Sequence, residues 1–177
     1  PYTTPASISI ATPQTLPLDI DQTHSGAVTL QQDAGGLLIT LATKDPAVTR
    51  LDRWDLYFDF RPLESRYGLY DPGTFSLAVF PADGAAPASW KKGNGEDIPD
   101  VKVQGTREAG ATLTTVRLSR SELARLTDGR PISFGFGLRL NACDNVDKES
   151  VAQRYLFCDL AADGLNNGWA NVHIGSA

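Results

Sequence analysis

The acids best placed to do chemistry lie in RLDRWDLYFDFRP, residues 50–62, which carries Asp52, Asp55 and Asp59. Paired carboxylates cleave glycosidic bonds when they face each other across roughly 5–10 Å. Asp55 and Asp59 are i, i+4 on an extended chain and stand about 13 Å apart, too far for that work. No G-x-S-x-G elbow, H-E-x-x-H helix, phosphate-binding glycine loop or cysteine–histidine nucleophile pair occurs. The chain therefore reads as non-catalytic. Its two histidines, His24 and His173, are far apart, so a zinc site would have to recruit carboxylates and is not expected. Calcium is better provided for. Asp144, Asn145 and Asp147 in CDNVDKE, and Asp159, Asp163 and Asn166 in CDLAADGLNN, are oxygen-rich loops, and Asp144, Asp147 and Asp163 are the candidate ligands. Ordinary turn chemistry accounts for the same residues.

Cys143 and Cys158 are the two cysteines. LRLNACDN and QRYLFCDL read as strands on either side of the polar VDKES, and a hairpin centred near Glu149 and Ser150 would set the two sulfurs opposite each other. A cross-strand disulfide, and with it an oxidising compartment, is the expectation, with two buried free thiols as the alternative.

These residues need elements to hold them, and the chain is punctuated for strands. In residues 53–60, Trp54, Leu56, Phe58 and Phe60 point to one face and Asp55, Tyr57 and Asp59 to the other. The first set is core. The second is either a solvated face kept for solubility or a functional surface. ASISIAT, GAVTLQQ, GLLITLAT, RWDLYFDF, TFSLAVF, VKVQG, TLTTVRLS, ISFGFGLRL, RYLFCDL and ANVHI are short, rich in β-branched and aromatic residues, and separated by DAGG, DPG, ADG, GNG, REAG and DGLNNG. Such spacing predicts a sandwich or barrel, not alternating β-α units. One short helix is expected in SRSELARLTDGRP, capped by Ser119 or Ser121, with Leu123 and Leu126 as its apolar stripe and Gly129 as its stop. The segment from Pro81 to Pro99 is the longest without periodicity and reads as a loop that is either functional or loosely held.

At 177 residues and 41% hydrophobic, the chain suits a single domain, 1–177, with 1–25 as an N-terminal extension or edge strand. A net charge of −5 argues against nucleic acid or an anionic membrane surface as partner. No run approaches the roughly 20 apolar residues of a membrane span. Methionine is absent throughout, including at Pro1, as in a processed form or a piece of something longer.

The order of these pieces resembles the family 9 carbohydrate-binding modules. GLLITLATKD, the irregular PAVTRL and then Asp52, Trp54, Asp55, Leu56, Tyr57, Phe58 and Asp59 are similar to that family's strand, loop and acidic-aromatic strand. RYGLYDPGTFSLAVF, VRLSRSELARL, FGFGLRLNACD and DGLNNGWANVHIG follow in the family's order, so the resemblance runs from about Gly26 to Ile174. It implies an all-β fold, an antiparallel two-sheet β-sandwich of the jelly-roll kind with one short helix. Some relatives of this sandwich hold haem through methionine and histidine, and since the chain has no methionine, haem is not expected. The resemblance further implies a poly- or oligosaccharide ligand and a place beside a catalytic domain in one parent chain, secreted or periplasmic.

A sugar offers an apolar C–H face for an aromatic ring and a rim of hydroxyls for amides, carboxylates and guanidinium groups. Three places meet that need. Trp169 is flanked by Asn166, Asn167 and Asn171; Trp90 lies in ASWKKGNG; and Tyr67 and Tyr70 share a loop with Arg66. Asp52 and Asp55 complete the set, as a polar cluster that organises these loops either directly or through Ca²⁺. Of the two tryptophans that clamp sugar in the family, only the C-terminal one has a match here, Trp169. Trp169 could equally be a lid on the core and Trp90 a cover for a sheet edge. The alternative function is a structural accessory domain that packs on a catalytic partner without binding sugar.

Overall fold

The computed structural model describes residues 6–49, 51–66, 73–80, 99–144, 152–157 and 170–174, and the backbone alone of 89–93. Among the described residues twelve strands run in chain order: β1 Ser7–Ser9, β2 Gln14–Pro17, β3 Ser25–Asp33, β4 Gly36–Lys44, β5 Arg53–Asp59, β6 Thr74–Val79, β7 Ser89–Gly93, β8 Lys102–Glu108, β9 Ala111–Ser119, β10 Ser133–Ala142, β11 Ala152–Leu156 and β12 Ala170–His173. They form two sheets, which makes the molecule an all-β sandwich. The larger, sheet A, has the order β1-β12-β10-β5-β6-β7 with β11 also paired to β10, and the smaller, sheet B, has the order β2-β3-β4-β9-β8. All pairings are antiparallel except β1 with β12, which is parallel.

The core lies between the sheets and follows period-2 alternation. Sheet A contributes Trp54, Leu56, Phe58, Phe75, Leu77, Phe134, Phe136, Leu138 and Val172, and sheet B contributes Val28, Leu30, Leu37, Ile39, Leu41, Val116 and Leu118. Phe58 stacks on Phe75 at 4.7 Å between ring centres, and Phe60, Phe134 and Phe136 close around them. Gly26 makes room for this packing, since a Cβ there would lie 2.6 Å from the Leu140 side chain and 3.0 Å from the Trp54 ring. The β3–β4 hairpin turns at the DAGG signal. Gly36 adopts φ +126°, a conformation other residues rarely adopt.

The short helix α1, Arg120–Leu126, starts as its sequence indicates: the Ser119 hydroxyl accepts from the Glu122 amide at 3.1 Å. Leu123 is its buried residue. Two strands escape the sequence reading, β2 and β7, the second lying inside the segment taken for a loop.

The β10–β11 register corrects the expected centre of the hairpin. Its register pairs Leu138 with Leu156 and Ala142 with Ala152, which centres the turn near residue 147 and not at 149–150. Cys143 lies one step past Ala142, five residues and about 16 Å along β10 from the partner of Leu156. Cys143 is a buried free thiol. Cys158 lies outside the described residues.

Candidate functional site

Three polar assemblies are built on the framework of sheet A. The first occupies the outer face of its centre, on the side of β5 opposite the core. Asp55 and Asp59 are only 6% and 0% exposed, which excludes the solvated-face alternative. Charges this buried need partners. Asp59 accepts from Arg61 Nε at 2.9 Å and Arg61 Nη2 at 2.8 Å, a two-point pair. Asp55 is richer in contacts. Its Oδ2 accepts from Arg139 Nε at 2.8 Å, Asn141 Nδ2 at 2.8 Å and Arg53 Nε at 3.1 Å.

Those bonds belong to a closed ring. Arg139 Nη1 donates to the Tyr155 hydroxyl at 3.1 Å, Tyr155 donates to Gln153 Oε1 at 3.1 Å, and Gln153 Nε2 donates to Asn141 Oδ1 at 2.9 Å. Asn141 returns to Asp55. The Arg139 guanidinium also lies 5.6 Å from the Tyr155 ring centre. Burial opposes its charge, but the Tyr155 hydroxyl and the Asp55 carboxylate outweigh that and raise its pKa above the ordinary arginine value. Each member locks the next, so the face is pre-organised.

Register places this ring in a row that crosses five strands. Trp90 of β7 pairs with Ala78 of β6, Ala78 with Asp55, Asp55 with Arg139, and Arg139 with Tyr155. At about 4.8 Å per strand the row is some 19 Å long, with an aromatic residue at each end.

The second assembly, at the far end of β5, holds Arg66 and Asn171. Arg66 is 3% exposed. Its guanidinium donates to the Arg61 carbonyl at 2.8 Å, the Ser133 carbonyl at 2.7 Å, the Ser133 hydroxyl at 3.1 Å and Asn171 Oδ1 at 3.0 Å. It ties the 3-10 turn Leu63–Ser65 to β10 and β12, and both Arg66 and Asn171 are buried there.

The third assembly joins sheet B to the end of β10. His24 Nδ1 lies 2.9 Å from both oxygens of Asp21, and its Nε2 lies 2.9 Å from Asp144 Oδ1 and 3.9 Å from Asp45 Oδ1. The hydrogen bond to Asp144, assisted by Asp21, lifts the imidazole pKa to about 9 against the opposing effect of burial. Asp52 borders this group. It accepts the Cys143 amide at 2.6 Å and the Thr49 amide, and burial, with the charges of Asp45 and Asp144, pushes its carboxyl above the usual range in spite of those bonds. A cavity of about 10 Å³, the room of one water, is lined by His24, Asp45, Asp52 and Trp54 among others. Among the described residues, the buried Trp54 indole N–H has no hydrogen-bond partner.

Asp52 and Asp55, expected in one cluster, thus serve two: Asp52 precedes β5 and Asp55 lies within it, three residues on and so on the opposite face. Of the other candidates, Tyr67, Tyr70, Asn166, Asn167, Trp169, Asp147 and Asp163 lie outside the described residues, as does the Trp90 side chain. Sequence reasoning missed Arg139, Asn141, Gln153 and Tyr155. The signal was available in SFGFGLRLNA, where Phe134, Phe136, Leu138 and Leu140 take the core phase and leave Arg139 and Asn141 on the same outer face as Asp55.

Sheet B has a groove of about 530 Å³ on its outer face, lined by Pro17, Ala27, Ala42 and Leu113, with Asp19, Lys44 and Glu108 also contributing. Leu113 is 47% exposed. Among the described residues, no aromatic side chain lines the groove.

No protein-family model matches the chain, and no curated relative is found. Its fold is that of solved carbohydrate-binding modules of family 9. One from Caldicellulosiruptor kristjanssonii, in complex with cellotriose, superimposes with a TM-score of 0.70 at 11% identity, covering 98% of this chain and 95% of that one. A module of that family from the same organism in complex with glucose gives 0.66 at 12% identity, covering 89% and 80%.

Proposed function

We propose that this chain is a non-catalytic carbohydrate-binding module whose sugar surface is the outer face of sheet A. The observation that carries the reading is the five-strand row with Trp90 and Tyr155 at its ends and the locked Asp55–Arg139–Asn141–Gln153 array between them. Sugar binding needs fixed donors and acceptors beside a stacking surface, and fixing them in advance reduces the entropy lost on binding. This array is fixed by its own bonds. The sugar complexes of modules with the same fold support the ligand class. In this reading the domain serves a catalytic domain in the same parent chain, in a secreted or periplasmic protein.

The test is calorimetric titration with a panel of gluco-, xylo- and manno-oligosaccharides. Tyr155→Ala and Trp90→Ala should each weaken binding of the preferred sugar tenfold or more while the far-UV circular dichroism is unchanged. Absence of binding to every sugar in the panel overturns the proposal. A second reading, a structural accessory domain docked on a catalytic partner, is favoured by the groove of sheet B, which offers a partner Ala27, Ala42 and the exposed Leu113.

A further inference from the structure

Two guanidinium groups share one carboxylate on the outer face of sheet A. Arg139 reaches Asp55 Oδ2 through Nε at 2.8 Å and Nη2 at 2.7 Å, and Arg53 reaches the same oxygen through Nε at 3.1 Å. One positive charge is left over, since the Asp59–Arg61 pair at the far end of β5 is neutral. The surplus is exposed at Arg53. Its side chain is 38% exposed against 14% for Arg139. Arg139 donates from all three of its nitrogens, to Asp55 and Tyr155, whereas among the described residues the two terminal nitrogens of Arg53 donate to no group. Register sets Arg53 opposite Asn141 and Asn141 opposite Gln153, so this free fork closes a row of amides beside the row from Trp90 to Tyr155. Asp52, next to Arg53 in the chain, has the opposite phase and turns to the amides of Cys143 and Thr49.

Resting on the reading of sheet A as the sugar surface, we propose that the preferred ligand is an acidic oligosaccharide, a neutral sugar chain carrying a single uronic acid. Its carboxylate takes a two-point pair from the terminal nitrogens of Arg53, and the rest of the sugar lies along the row from Trp90 to Tyr155. A planar guanidinium fork matches a carboxylate in geometry and in charge, and such charge-assisted bonds are roughly twice as strong as those a neutral hydroxyl would make. One surplus cation matches one carboxylate. A net charge of −5 on the whole chain opposes a continuous polyanion, so the match is to a uronic acid branch and not to a chain of uronic acids.

The test titrates the 177-residue chain with a xylo-oligosaccharide bearing one glucuronic acid branch, with the methyl ester of that compound and with the unbranched parent. The ester keeps the shape of the acid and removes its charge. The acid should bind about tenfold tighter than the ester, the scale of one charge-assisted hydrogen bond. That advantage should fade as salt approaches about 1 M, where the Debye length is about 3 Å. Arg53→Met, at an exposed position, should fold and reduce the advantage to less than about twofold. In the unaltered protein, the guanidinium signals of Arg53 should shift with the acid and stay in place with the ester, a readout independent of any variant's folding. The proposal is overturned if acid and ester bind equally, or if Arg53→Met keeps the full advantage. Sugars that bind without regard to charge leave the proposed function standing, whereas binding to none of these compounds and to none of the neutral panel overturns both.

Discussion

Asp55→Ala probes the ring on sheet A most sharply. The substitution removes the acceptor on which Arg139, Asn141 and Arg53 converge and leaves a guanidinium, itself only 14% exposed at the side chain, without its carboxylate. Breaking a buried ion pair by removing one partner costs roughly 3–5 kcal/mol. Arg139 keeps its bond to Tyr155, which places the loss at the low end, about 3 kcal/mol. The Arg53 contact adds less than about 1 kcal/mol, because that side chain is 38% exposed. At about 2–4 °C per kcal/mol for a domain of this size, Tm should fall by roughly 6–12 °C. Asp55→Asn keeps an acceptor without the charge and should fall between. Calorimetric melting of Asp55→Ala, Arg139→Met and the double variant gives the coupling, and the double variant should lose clearly less than the sum of the two singles. A loss below about 1 kcal/mol for Asp55→Ala, or strict additivity, would refute the claim that the ring is a locked unit.

Asp52→Ala leaves the Cys143 and Thr49 amides without an acceptor and should cost about 1–3 kcal/mol, read as a shift in the urea midpoint. Gly36→Ala forces a Cβ to 2.3 Å from the Leu118 carbonyl at a positive φ, so it should destabilise by more than about 2 kcal/mol by the same assay. Cys143 should react with a thiol reagent in denaturant without reductant, and only slowly in the folded protein, where it is buried.

Strand phase and turn chemistry were legible in the sequence. The alternation in β5 assigns Trp54, Leu56, Phe58 and Phe60 to the core, DAGG marks the β3–β4 turn, and Ser119 announces α1, because each depends on residues close in the chain. β7 was not, since SWKKG is framed by proline- and glycine-rich stretches and is held in a strand by its pairing with β6. The turn after β10 was placed two to three residues too late, which displaces the pairing by about five, for a polar turn gives length but no anchor. The site divides in the same way. Asp55 stands out locally as an acid on a buried strand, whereas its partnership with Arg139 and Tyr155 is a matter of register, and the meeting of His24, Asp45 and Asp144 is a matter of sheet order.

Amide chemical-shift mapping of the ¹⁵N-labelled protein with a bound cello-oligosaccharide tests the central claim most directly. The account predicts that the perturbed amides gather on sheet A, at Asp55, Arg139, Asn141, Gln153 and Tyr155 and along β7 at Trp90. Perturbations gathered on sheet B around Ala27, Ala42 and Leu113, with those of sheet A unmoved, would contradict it.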